Sequence, residues 1–275
     1  MNATPQSAAV QTSARKLPYG PTALITGASD GIGKAFAHDL AQSGYDLVLV
    51  ARREDVLQGL ARDIVARHGV KVQVIAADLS TPQGISDVLA RSADMPVGLL
   101  VAAAGFGSLG PFLEQDVVTE ANMVDVNCRA VVELTHAIGQ RMARARKGGI
   151  ILFGSVVGFQ GVPWSATYAA TKGFVQSFAE GLAVELRPFG ISVLSVAPGP
   201  VGTGFAARAG MQMAQAETPE VVARGALAAL PRGGTVRPGF LSKMLGWSLA
   251  TLPRWGRVRL VGQFMRGMMP RKAKE

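Results

Sequence analysis

The sequence predicts a doubly wound α/β fold, a parallel sheet flanked by helices in one domain, and three observations lead there. Short β-branched and aliphatic runs recur along the chain with little period-two alternation, as strands covered on both faces do. Helix-period segments separate them, and the connections are short, with no internal linker and no solenoid-type repeat.

The strands are expected at 22–26 (TALIT), 45–51 (YDLVLVA), 71–77 (KVQVIAA), 97–104 (VGLLVAAA), 149–155 (GIILFGS) and 191–197 (ISVLSVA). The helices between them fall near 31–43, 53–68, 82–93, 119–146 and 166–187. Beyond Ala197 the pattern loosens into a Gly, Ala and Met-rich stretch that reads as a flank or lid of a pocket. A helix near 218–230 follows, with Thr218 as N-cap and Pro219 in its first turn, and TVRPG at 235–239 reads as a last strand.

At 275 residues, with 48% hydrophobic and 17% charged residues, the chain can bury one sizeable core. Cys128 is its only cysteine, so no internal disulfide can form. Residues 1–19 lack the basic start and apolar block of a secretory leader and read as a flexible extension. No apolar run is long enough to span a bilayer, and a soluble, cytoplasmic protein is expected. The net charge of +9 is concentrated late: from Lys243 onward eight Lys and Arg face a single acid, Glu275. A body near neutrality (20–240) with a local basic tail (241–275) argues against a nucleic-acid partner. No metal site is expected.

Directly after the first strand comes TGASDGIG, with Gly27, Gly31 and Gly33 opening the first helix. Glycine lets the backbone turn sharply and lets a diphosphate approach where a Cβ would block it. The helix then directs free N–H groups and its positive dipole end at that anion. This position is what a dinucleotide site requires. The second strand ends in VLVARRED, where an acid would accept from the 2′-OH of NAD. Ala51 holds that place, followed by Arg52 and Arg53, which favours a 2′-phosphate and hence NADP over NAD. Asp78, ending the third strand, is placed to accept from an adenine amino group.

Tyr168 and Lys172, in YAATK, lie four residues apart on one helix face. Taken alone, the pair suits an ordinary amphipathic helix. Together, TGASDGIG, Asp78, AAAG at 102–105, Asn127 in DVNCRA, Ser155 in FGSVVG, YAATK thirteen residues later and PGPVGT at 198–203 resemble the short-chain dehydrogenase/reductase family over roughly residues 20–240. The resemblance implies a Rossmann-type domain and a catalytic site of Asn127, Ser155, Tyr168 and Lys172. It also implies a cofactor cleft that adds Ser29, Asp30, Ile32, Leu79, Ala104, Gly105, Pro198, Gly199, Val201 and Thr203 to the glycines, arginines and Asp78, with Asn127, Tyr168 and Lys172 reaching it too.

In such enzymes the tyrosine protonates the carbonyl oxygen as hydride arrives at carbon. A neighbouring ammonium is expected to lower the phenol pKa by roughly one to three units, towards the value a general acid needs. Lys172 would also hold the nicotinamide ribose, Ser155 would donate to the substrate oxygen, and Asn127 would support a water-linked proton path. The chain departs from the family at Ala102 and Ala103, where two asparagines usually brace the sheet, and at Asp30, where NADP-using relatives carry a cation.

For the substrate the sequence offers Phe106, Leu109, Phe112, Phe159, Val162, Trp164, Phe205, Met211 and Met213, an apolar set without clustered cations. Phe106, Phe159, Trp164 and Phe205, with Ser155, are the residues expected to touch it. The expected activity is NADPH-dependent reduction of a carbonyl, or oxidation of the secondary alcohol, on a largely apolar small molecule. The alternative is a cofactor-binding regulatory or membrane-surface protein with an idle site. The tail offers two helical faces, Leu241, Met244, Leu245 and Leu249, then Val258, Val261 and Met265. Packing on the body or a second subunit is favoured over peripheral membrane contact. By resemblance, the helices at 119–146 and 166–187 form a homodimer or homotetramer interface.

Overall fold

A computed structural model describes residues 19–205, 209 and 216–269. Seven strands pair in parallel: β1 (Thr22–Thr26), β2 (Asp46–Ala51), β3 (Val72–Ala76), β4 (Val97–Ala102), β5 (Gly148–Phe153), β6 (Ile191–Val196) and β7 (Gly234–Val236). Their order across the sheet is β3-β2-β1-β4-β5-β6-β7. The direction of winding reverses between β1 and β4, and ligand crevices of open α/β sheets form beyond the strand ends at such a switch point. This is the doubly wound, Rossmann-type sheet expected.

Both faces of the sheet are covered, which explains why the strands show no alternation. Ile25, Leu47 and Leu49 enter one core, with Phe36 and Leu40 of α1 (Gly31–Gln42), Leu57 and Ile64 of α2 (Glu54–His68) and Val222 of α7 (Pro219–Ala229). Leu24, Val48 and Leu100 enter the other, with Ile85 of α3 (Pro82–Arg91), Leu134 and Ile138 of α5 (Ala130–Ala145) and Val175 of α6 (Ala166–Glu185). Alternate residues thus point to opposite but equally apolar sides. The expected Thr218 cap is present, its side chain accepting from Val221 N at 3.4 Å, with Pro219 opening α7.

Some boundaries differ from the expectation. Tyr19, assigned to the extension, is buried and packs over Gly149, so the chain joins the fold there. The rest of the expected extension, residues 1–18, lies outside the described residues, as do Met211, Met213 and the Leu245 side chain. The long helix expected at 119–146 is two, α4 (Val117–Val124) and α5, joined by a π-helical turn at Asp125–Arg129. The tail forms α8 (Phe240–Ala250) and α9 (Arg254–Met268). Met265 of α9 is buried against Val162 and Ala169, with Leu109, Trp164 and Val261 around them. Gly262 sits so close to the body that a Cβ there would come within 2.8 Å of Pro163. The α9 part of the tail therefore packs on the body. No described helix is long and apolar enough to cross a membrane.

Candidate active site

The strand ends open into a cavity of about 1140 Å³. That exceeds the roughly 300–1,000 Å³ of ordinary ligand pockets and leaves room for an elongated cofactor and a second molecule. The glycine turn forms one wall. Gly27, at φ +68°, and Gly33 are required by the protein's own packing: a Cβ would meet Ala103 backbone atoms at 2.9 Å and the Gly27 carbonyl oxygen at 2.4 Å, respectively. Gly31, at φ +51°, faces the Thr203 side chain across the cavity wall. Asp30 caps α1, its Oδ1 accepting from Gly31 N at 2.8 Å, so that oxygen is turned to its own helix.

At the end of β2, Arg52 and Arg53 line the cavity beside Ser29, whose hydroxyl accepts from Arg53 Nη2 at 3.2 Å. Asp78 lines it after β3, with Oδ1 held by Ser80 N and Oγ at 3.0 and 2.9 Å. Ile32, Leu79, Ala104, Gly105, Pro198, Gly199, Val201 and Thr203 also border it. Backbone donors at a helix N-terminus, a hydroxyl and two guanidinium groups form a donor set for phosphates. With glycines that admit close approach, these residues fit a nicotinamide dinucleotide. Ala104 N donates to Thr26 Oγ1 at 3.0 Å, which ties the loop after β4 to the end of β1.

Ser155, Tyr168 and Lys172 meet in the same cavity. Ser155 lies two residues beyond β5 and caps a short 3₁₀ turn, its Oγ accepting from Val157 N at 3.3 Å. That turn crosses α6 at Gly158, where a Cβ would meet the Lys172 carbonyl group at 2.8 Å, and so brings the serine against the helix that carries Tyr168. Lys172 is buried, with Nζ donating to Phe153 O at 2.8 Å and lying 5.6 Å from the Tyr168 ring centroid. The Tyr168 ring leans on Phe205 at 5.3 Å between centroids.

The expected lowering of the phenol pKa is overturned. Burial pushes Tyr168 up to about 12, opposed by its hydrogen bond with Ser155. Burial likewise lowers Lys172 to about 8, against a small opposing effect of the Cys128 sulfur. Sequence spacing identifies neighbours on a helix face but says nothing about how deeply the face is buried, and here desolvation is the dominant cause.

Asn127 is buried behind the cavity wall and does not border it. Its Oδ1 accepts from Phe106 N at 3.2 Å, and its Nδ2 donates to Phe106 O at 2.9 Å and Thr171 Oγ1 at 3.0 Å. The side chain clamps the loop after β4 to α6; it is a positioning residue, placed by the π-helical turn.

Phe106 and Phe205 line the cavity, as expected of substrate contacts, whereas Phe159 and Trp164 do not. Phe159 lies under the Arg237 guanidinium at 4.5 Å, and Trp164 packs into the small apolar cluster beneath α9. Phe112 is exposed on the outside of the fold. Sequence reasoning missed the wall supplied by the tail: Leu249 of α8 and Leu260, Val261, Phe264, Met265 and Met268 of α9. The signal was the apolar face of that segment, which contains Val261 and Met265 but does not reveal what it covers.

The chain matches the family model of short chain dehydrogenase over residues 21–214. It is 36% identical over 185 residues to a very-long-chain 3-oxoacyl-CoA reductase of Meyerozyma guilliermondii, a match covering 63% of this chain and 54% of that one, so the chain spans about half the length of this curated relative. A solved structure described for 7beta-hydroxysteroid dehydrogenase stereoselectivity superposes with TM-score 0.83 at 28% identity, covering 89% of this chain and 98% of its own. A short-chain dehydrogenase from Sphingobium yanoikuyae in complex with NADPH superposes with TM-score 0.77 at 31% identity, covering 93% and 98%. The parallel sheet flanked by helices agrees with these matches, and with the family model spanning most of its length the chain belongs to the short-chain dehydrogenase family.

Proposed function

We propose that the protein is an NADPH-dependent reductase of a carbonyl group on a bulky, largely apolar small molecule. The observation that carries this reading is one cavity holding the buried Ser155 and Lys172 and the half-buried Tyr168 together with an arginine-bearing glycine cleft and an apolar wall. The relatives' described subjects, a very-long-chain 3-oxoacyl-CoA and a 7β-hydroxysteroid, both carry a large apolar portion, the acyl chain in one and the ring system in the other, and one neighbour was solved with NADPH. Arg52, Arg53 and Ser29 suit the additional phosphate that distinguishes NADP from NAD.

When bound, the dinucleotide supplies the hydride. Tyr168, with a pKa pushed up to about 12, stays protonated at neutral pH and hands its proton to the carbonyl oxygen. Ser155 donates a hydrogen bond to that oxygen, where negative charge develops. Lys172 stands behind the phenol as a buried cation below pH 8 and stabilises the phenolate left by proton transfer. The apolar walls exclude water from the reacting group.

Two substitutions test the reading. Tyr168→Phe lowers kcat for an apolar ketone by roughly 100-fold or more while leaving NADPH binding unchanged; full activity in this variant overturns the acid assignment. Arg53→Ala weakens NADPH by roughly ten- to 100-fold and leaves NADH nearly unaffected. Tighter binding of NADH than NADPH by the unmodified protein rejects the arginine reading.

A further inference from the structure

The outward face of α8 has the wrong chemistry for water. Phe240, Met244 and Trp247 are spaced i, i+4 and i+7, one stripe of a helix. They are 78%, 47% and 79% exposed, so the stripe points away from the body. The opposite side of the same helix is the one that packs, through the buried Ser242 and the half-buried Leu249. On α9, Trp255 is exposed with the Arg259 guanidinium 5.8 Å from its ring centroid.

The charges that α8 and α9 carry have one sign. Between Glu220 and Glu275 the sequence has no Asp or Glu, and residues 243–274 carry eight Lys and Arg. Lys243, Arg254, Arg259 and Arg266 are all exposed on these two helices. The carboxylate of Glu217 is turned to the N-terminus of α8, accepting from Leu241 N at 3.3 Å, so a second copy of the same surface would bring like charges together with no acid of α8 or α9 to compensate. An anionic bilayer supplies the complementary charge and an apolar layer beneath it, where Trp and Phe rings settle at headgroup depth and long basic side chains reach back to the phosphates.

The same two helices border the catalytic cavity. Ser248 and Leu249 of α8 line it, and Leu260 and Phe264 of α9 line it while remaining largely exposed, which places them on its rim. We propose that α8 and α9 form a docking surface for an anionic lipid bilayer, seating the cavity rim at the membrane so that an apolar substrate passes from the lipid into the site. The stripe of α8 supplies the buried apolar contact, and the exposed cations supply the selectivity for negative headgroups. The docking surface stands on its own residues, while the passage of an apolar substrate rests on the proposed reductase function.

The test is co-sedimentation of the full chain with vesicles of phosphatidylglycerol and phosphatidylcholine (1:3), compared with phosphatidylcholine alone. Binding to the anionic vesicles is expected, weakening at least tenfold on phosphatidylcholine alone and falling with added salt. Joint Phe240→Ser, Met244→Ser and Trp247→Ser substitutions should reduce binding tenfold or more. Lys243→Gln with Arg259→Gln should reduce it roughly 25-fold, about fivefold per cation. None of these residues lines the cavity, so turnover of a water-soluble ketone should be unchanged in both variants, a control for folding. Tyr168→Phe should bind vesicles as the parent does, which separates this proposal from the catalytic one. Equal binding to both vesicle types, unchanged binding in the variants, or a dimer dissociated by the α8 substitutions with no vesicle binding would overturn it.

Discussion

Lys172 carries a cost that only function explains. Its ammonium is buried, donating to the Phe153 carbonyl, and burial lowers its pKa from 10.5 to about 8. The unfolded chain binds this proton more tightly than the folded one, so the penalty is full below pH 8 and disappears as pH rises through the unfolded value. A shift of this size corresponds to roughly 3 kcal/mol. Lys172→Met should therefore show its most favourable stability relative to the parent below pH 8, the difference moving in the parent's favour between pH 8 and 10 in paired thermal denaturation. Its reductase activity should fall 100-fold or more. A stability difference independent of pH would mean the lysine is not desolvated. In the parent, kcat/KM for reduction should hold at neutral pH and fall as pH rises through about 8, where Lys172 loses the charge that supports the departing proton.

At the scale of elements, strands and glycines were legible because their chemistry is local, and the break between α4 and α5 was not. The run through 119–146 has helical residues throughout, and the π-helical turn arises where Asn127 must reach Phe106 and Thr171. Neither partner is near in sequence. Asn127 was readable as a site residue through its family resemblance, but its task, clamping the loop after β4, appears only with the fold. Phe159 and Trp164 were misread for the converse reason. Aromatic residues in a loop near a site are apolar whether they face the ligand or a neighbour, and Arg237 and α9 claim these two. Asn127→Ala leaves the Phe106 amide and carbonyl without these partners. It should destabilise the protein by about 1–3 kcal/mol and lower kcat more than it raises KM, since the clamp acts through the wall that carries Gly105. A variant with parental stability and kcat would refute the clamp.

Across the whole molecule, residues remote in sequence converge on the open ends of the parallel strands, and the C-terminal segment closes the space they leave. The glycine turn, the arginines after β2 and the Tyr168 group come from the sheet and its helices, whose contacts repeat the alternation of strand and helix. The chamber wall comes from α9, more than eighty residues after Tyr168, held by Met265 in the small cluster and by Gly262 against Pro163. On the proposed function, the tail bounds the space left for the substrate while the body supplies the chemistry, and the two can be separated by mutation. Val261 is half-buried and borders the cavity, so Val261→Phe adds a ring to the chamber side of α9 without touching Ser155, Tyr168 or the arginines. For a series of 3-oxo compounds of increasing chain length, this substitution should raise KM for the longest members tenfold or more, leaving the kcat and KM of the shortest within about twofold; a tenfold change corresponds to 1.4 kcal/mol. A uniform fall in kcat for all lengths would show that the ring disturbs the catalytic group, and an unchanged profile would place the substrate's apolar portion away from α9.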